Sequence, residues 1–187
     1  MLILSGHTPD AYYTSAEPKF KASMERFGLP YTIDIWNPIP GGPYHIQLWN
    51  KPVSIHRHLF DIPEGDWLIW VDIDMEIVDD PFYLLNPPKD HDLMFPFING
   101  DSLQTSIIGL RRTPANIELV KSWICYYAIE SYRLHPLAEQ HALIHLLNMK
   151  RIPCFRLPES YDVDTRRITK NPTVLHYHYS RKFKGDH

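Results

Sequence analysis

The sequence is poor in cysteine, has no long apolar run and carries no block of like charge, and each shortage closes off a class of protein. Its two cysteines, Cys125 and Cys154, stand alone. Without metal-ligand spacing they make neither a zinc module nor a disulfide framework, and they fit two small hydrophobes in a reducing compartment. No apolar stretch approaches the ~20 residues of a membrane-spanning helix. The opening Met1-Leu2-Ile3-Leu4 is interrupted by Ser5–Asp10 before it reaches the length of a signal-peptide core. The chain is therefore expected to be cytoplasmic, complete and unanchored, with no membrane span. A formal net charge of −3 disfavours nucleic acid or an anionic membrane surface as a partner. The basic clusters, Arg166-Arg167 and Arg181–Lys184, both lie late in the chain. Eleven histidines are scattered, apart from His176 and His178, which argues against metal storage.

What the chain does have is proline, 17 residues in 187 against an average of about 5%. Many sit beside turn residues, as in Asn37-Pro38, Pro40-Gly41-Gly42-Pro43 and Asn86-Pro87-Pro88, so short elements joined by stiff loops are expected. The apolar fraction of 44% and charged fraction of 22% suit a globular protein. The length suits one compact domain, residues 1–187, read as two halves over residues 1–75 and 76–187.

The first half alternates strand and helix. Leu2–Leu4 predicts a buried strand, followed by a loop over Ser5–Asp10. Residues 15–27 carry Phe20, Met24 and Phe27 at helical spacing, with Gly28 as the stop. Tyr31–Trp36 predicts a second strand. After a loop over residues 37–50, Lys51-Pro52 opens a helix running to Phe60, since proline suits a first turn. Pro63–Asp66 is a turn, and Trp67–Val71 is a third strand. This order predicts an α/β fold with crossover helices and a mostly parallel sheet, in which ligands sit beyond the carboxyl ends of the strands. The second half is mixed. Strands are expected over Leu93–Phe97, Ser106–Leu110, Ile152–Leu157 and Thr173–Tyr177. Helices are expected after the Thr113 cap with Pro114 in the first turn, and from Pro136.

The segment Trp67-Leu-Ile-Trp-Val-Asp-Ile-Asp74 concentrates the chemistry. Trp67–Val71 is apolar throughout, as in a strand buried on both faces. Asp72 and Asp74 follow with one residue between them. In an extended chain they share a face, roughly 6.6 Å apart. Two like charges at the end of a buried strand are costly unless neutralised. A divalent cation would do this, and hard oxygen ligands suit Mn2+ or Mg2+.

An apolar strand ending in Asp-x-Asp after parallel strands resembles the signature of the GT-A class of glycosyltransferases, which implies a Rossmann-like nucleotide-diphospho-sugar transferase fold. Three further segments are similar to its glycogenin-like and bacterial galactosyltransferase branch. Thr173-Val-Leu-His-Tyr-His-Tyr-Ser-Arg-Lys182 resembles the C-terminal segment in which a strand ends in His and a Lys six residues later touches the donor diphosphate; Tyr179 stands where that branch has Gly. Gln104-Thr-Ser-Ile-Ile-Gly-Leu-Arg-Arg-Thr-Pro114 is similar to its Asn-x-Gly strand and the Arg-Arg-Thr-Pro that follows, with Gln104 and Ser106 replacing Asn and Gly. Glu139-Gln140 resembles the Asp-Gln start of a helix near the sugar.

The resemblance implies a hexosyltransferase using a nucleotide-sugar donor, with uridine diphosphate as the family's usual carrier, and Mn2+ or Mg2+ as cofactor. Asp74 and His176 become the direct metal ligands, with His178 competing by the period of the strand. Asp72 holds the donor ribose, or the metal through water. Lys182, or in its place Arg181, sits on the diphosphate. Lys51 and Gln140 contact the donor, and Tyr12 or Tyr13 stacks on its base. Glu139 is a catalytic base for the acceptor hydroxyl or a hydrogen-bond partner of the sugar, which leaves inversion or retention open. The acceptor has no readable pattern. The small size suggests that a second subunit supplies part of the acceptor site, as in a homo-oligomer. Two rival functions use the same residues. One is a phosphatase of the haloacid dehalogenase type built on Asp72 and Asp74, although that family places the pair after its first strand. The other is a catalytically degenerate nucleotide-sugar-binding module.

Overall fold

The computed structural model describes residues 1–38, 48–98, 101–129, 138–165 and 171–177. In chain order the elements are β1 (Leu2–His7), α1 (Ala11–Arg26), β2 (Tyr31–Ile35), α2 (Asn50–His58), β3 (Trp67–Val71), β4 (Met75–Ile77), α3 (Phe82–Leu85), β5 (Leu93–Ile98), β6 (Ser102–Leu103), β7 (Ile107–Arg111), α4 (Pro114–Ile129), α5 (Ala138–Lys150), β8 (Phe155–Leu157), β9 (Val163–Asp164) and β10 (Val174–His176), with a 3-10 turn at Glu159–Tyr161 before β9.

A seven-stranded sheet in the order β2-β1-β3-β7-β5-β6, with β8 beside β5, forms the centre. The pairings β1–β2, β1–β3 and β5–β8 are parallel, whereas β7 runs against both β3 and β5, and β6 against β5. All strands but β7 and β6 therefore point one way, which is the mixed, mostly parallel sheet the sequence implied. Alternation along the strands separates two apolar layers. Leu4, Leu68, Trp70, Ile108 and Leu110 pack with α2, α4 and α5 through Ile55, Trp123 and Leu143. Ile3, Trp67, Ile69, Val71 and Ile107 pack on the other side with Phe20 and Met24 of α1. Strand residues at i and i+2 share a face, so Trp67–Val71 feeds both layers and must be apolar throughout.

Local signals explain the helix ends. The Asp10 carboxylate accepts from the Tyr13 backbone N–H at 3.0 Å and caps α1. The helix stops at Gly28, whose φ of 63° lets Leu29 N reach Met24 O. Asn116 N donates to the Thr113 hydroxyl, confirming the expected cap of α4.

Several boundaries differ from expectation. Ser5–His7 continues β1 instead of forming a loop, because β2 pairs with it through His7↔Ile35. The last sequence-predicted strands shorten to β8 and β10. Pro136 and most of the 37–50 loop lie outside the described residues. A second, three-stranded sheet in the order β4-β10-β9 was not anticipated. Its strands are only two or three residues long, too short for periodicity to register.

Candidate active site

The small sheet builds the site. The chain leaves β3 at Val71, turns through Asp72–Asp74 and enters β4 at once, with Met75 N donating to Asp72 O. The acidic pair thus sits in a tight turn and not on an extended strand. Its side chains converge because of that turn, and the period-two argument does not apply. Antiparallel pairing of β4 with β10 puts His176 opposite Met75, and Tyr177 N donates to Asp74 O at 3.0 Å. The imidazole consequently arrives beside the aspartate that precedes Met75.

One ligand atom from each of Asp72, Asp74 and His176 falls within 4.8 Å of the others. His176 Nε2 lies 3.5 Å from Asp74 Oδ1, and its Nδ1 lies 2.9 Å from Asp162 Oδ1. The Tyr12 hydroxyl donates to Asp74 Oδ2 at 3.3 Å. Burial opposes a charged imidazolium, but Asp74 and Asp162 outweigh it, and the His176 pKa rises to about 10. Two carboxylates and an imidazole meeting at this spacing form a donor set that fits a divalent cation of the manganese or magnesium type.

A second cluster adjoins the first. Lys51, near the start of α2, places Nζ 3.0 Å from Asp72 Oδ1, 3.1 Å from Glu139 Oε1 and 3.0 Å from Thr105 O. Trp70 Nε1 donates to the same Asp72 oxygen at 2.6 Å. The ring of Trp70 lies under the Lys51 ammonium and stacks on Trp36. Lys51 is 5% exposed and Glu139 4%, so this is a buried ionic group. Burial works against the ammonium, but two carboxylates around it raise its pKa and keep it charged. Burial raises Asp72 and Glu139 in turn, outweighing the lowering effect of the Lys51 ammonium they share.

The remaining sequence-predicted site residues are placed as follows. Glu139, at the start of α5, accepts from the Thr105 hydroxyl and faces Lys51. Gln140 donates to Leu103 O at 2.9 Å, tying α5 to β6. Tyr13 packs edge-on against Tyr12 and tilted against His7, above the carboxyl end of β1. Lys182, Arg181, His178 and Tyr179 lie outside the described residues. The structure brings together Asp72, Asp74 and His176, and links Lys51 and Glu139 to them through Asp72.

Sequence reasoning missed Asp162, Ser106 and the Tyr12 hydroxyl as members of the cluster. Asp162 follows the 3-10 turn in a stretch with no periodic pattern, and only the fold brings it to His176. Ser106 offers no signal in the sequence beyond its place at the start of an expected strand and its departure from the glycine of the resembled motif.

No protein-family model matches the sequence, and no curated protein does. Solved structures do match. The glycosyltransferase involved in glycosylation of the major capsid of PBCV-1 superposes with a TM-score of 0.74 at 15% identity, over 95% of this chain and 92% of that one. The glycosyltransferase GlyE of Streptococcus pneumoniae TIGR4 gives 0.65 at 12% identity, over 94% of this chain and 54% of GlyE. Its apo form gives 0.64 at 11%. The chain spans about the whole of the first and about half of GlyE. At these identities the comparisons establish a shared glycosyltransferase, GT-A-like fold.

Proposed function

We propose that the protein is a metal-dependent glycosyltransferase that moves a hexosyl group from a nucleotide-diphosphate sugar, a UDP-sugar, to an acceptor hydroxyl. The observation that carries this is the convergence of Asp72, Asp74 and His176 at the carboxyl end of β3, within a fold shared with known glycosyltransferases. In glycosyl transfer, negative charge grows on the phosphate oxygen that leaves the anomeric carbon. Positive charge fixed at that point stabilises the transition state more than the ground state. A divalent cation, when bound, supplies such charge.

The protein's own groups divide the work. Asp74 and His176 hold the ion, and Asp72 holds it through water or takes the donor ribose. Tyr13 lies beside the carboxyl end of β1, where a nucleobase would rest. Lys51 is poised between Asp72 and Glu139, and a donor diphosphate reaching Asp72 would compete for its ammonium. Movement of Lys51 onto the phosphates would release Glu139 toward a sugar or acceptor hydroxyl, while Gln140 holds the start of α5 against β6. Lys182 is assigned the diphosphate on its spacing from His176.

A thermal-shift screen of nucleotide sugars with and without Mn2+ tests this directly, since a ligand that binds the folded state raises its apparent stability. The expected result is a manganese-dependent shift with one nucleotide sugar, accompanied by slow release of the nucleoside diphosphate. Affinity without turnover would leave a binding module, and hydrolysis of phosphate monoesters would point to the phosphatase.

A further inference from the structure

Behind His176 lies a hydrogen-bonded chain that none of the roles above uses. Asp162, 6% exposed, accepts from His176 Nδ1 at 2.9 Å through Oδ1. Its Oδ2 accepts from the Ser106 hydroxyl at 2.5 Å. Ser106 also receives Asp72 N on its backbone oxygen at 2.9 Å. The links therefore run from Asp72 through Ser106, Asp162 and His176 to Asp74, and close a ring around the point where the ligand atoms meet.

We propose that Asp162, oriented by Ser106, is a positioning residue that fixes the His176 ring with Nε2 facing the cation site. The proposal rests on the metal-site reading given above and adds a residue to it. The geometry leaves little alternative. With Nδ1–H committed to a carboxylate, the lone pair of the neutral ring is confined to Nε2, on the side of Asp74. A carboxylate behind the ring also makes Nε2 a stronger donor to a cation than an amide would. A buried carboxylate without partners is costly, and Asp162 has two, each directional, from two different strands' ends. Ser106 stands where the resembled motif has glycine, which could not supply the hydroxyl, so this support belongs to the chain's own sequence.

The test is a double-mutant cycle read by isothermal titration of Mn2+ alone into the full chain. Asp162→Asn keeps the size and an oxygen for Nδ1–H, and removes the charge. Affinity for Mn2+ is expected to fall about tenfold, the lower end for loss of such a support. Ser106→Ala is expected to give a smaller fall. His176→Ala should lose affinity more severely, and adding Asp162→Asn to it should cost nothing further, because Asp162 acts through that ring. A role confined to folding predicts instead the same loss with or without His176. Circular dichroism and metal-free unfolding check the fold of each variant. Should Asp162→Asn fail to fold, Ser106→Ala carries the same cycle with both ligands and Asp162 in place. Affinities within about twofold of the parent in Asp162→Asn and Ser106→Ala, with His176→Ala weakened, overturn the positioning role alone. An unweakened His176→Ala overturns the metal-site reading as well.

Discussion

The ammonium of Lys51 stands 3.0 Å from the carboxylate of Asp72, and both are set in place by residues distant in sequence. Lys51 comes from α2, which packs on the layer containing Trp70, and Asp72 comes from the turn that β3 makes as it leaves that layer. Glu139 and the Thr105 carbonyl complete the enclosure of the ammonium. The junction is therefore both a structural brace and one wall of the candidate site.

Removing Lys51 leaves two carboxylates without their cation. Lys51→Met is expected to destabilise the fold by about 3–5 kcal/mol, the range for breaking a buried ion pair on one side. Combining it with Glu139→Gln should restore part of the loss, because the second buried charge is gone. Urea unfolding of the parent, Lys51→Met and the double variant measures this, and equal stability of Lys51→Met and the parent would refute the brace.

Asp74→Asn retains an oxygen for the Tyr12 hydroxyl but loses the charge that meets His176. Binding of Mn2+ is expected to weaken by at least an order of magnitude and donor turnover to fall about 100-fold or more, in line with loss of a principal electrostatic group. Calorimetry and nucleoside-diphosphate release provide the measurements, and unchanged turnover in saturating manganese contradicts the role.

The raised pKa of His176 sets two pH dependences. In the metal-free protein the folded value of about 10 exceeds the unfolded value of about 6.5. Its stabilising effect is thus complete below about pH 6.5 and is lost as pH rises through 10. Metal binding needs the unprotonated ring, so affinity for Mn2+ should increase with pH over the same window, with a proton released on binding. Melting curves and calorimetry in buffers of different ionisation enthalpy test both, with His176→Gln as the flat control. A parent protein as flat as that control would remove the assignment.

Gly6 lies where β1 approaches the Trp36 ring. A Cβ there would stand 2.5 Å from that ring, which is itself stacked on Trp70 and bonded to Ser54. Gly6→Ala is expected to cost about 1–3 kcal/mol through overpacking. Thermal unfolding with Trp fluorescence reports both the loss and the displaced indole, and a neutral substitution would show that Trp36 can move freely.

The alternation of β1, α1, β2, α2 and β3 was legible because each element is long enough for its period to appear, with Gly28 and Pro52 marking ends. The acidic pair was legible because five apolar residues lead into it. The small sheet was not, since β4 and β9 have no pattern of their own and form only because β10 lies between them. For the same reason Asp162 was invisible: it acquires meaning only when His176 is brought to it over a separation of 14 residues. Glu139 was found by its motif, but its closeness to Lys51 depends on α2 and α5 packing in one layer, which no local signal encodes.

Strand β10 joins β4 across almost a hundred positions of sequence, with Val174 opposite Ile77. During synthesis, the two aspartates leave the ribosome long before their imidazole partner exists. Until then Lys51, Trp70 and Tyr12 meet the acidic turn without the imidazole. The third member of the Asp72, Asp74 and His176 group therefore arrives late, and a polypeptide halted before Val174 would lack it.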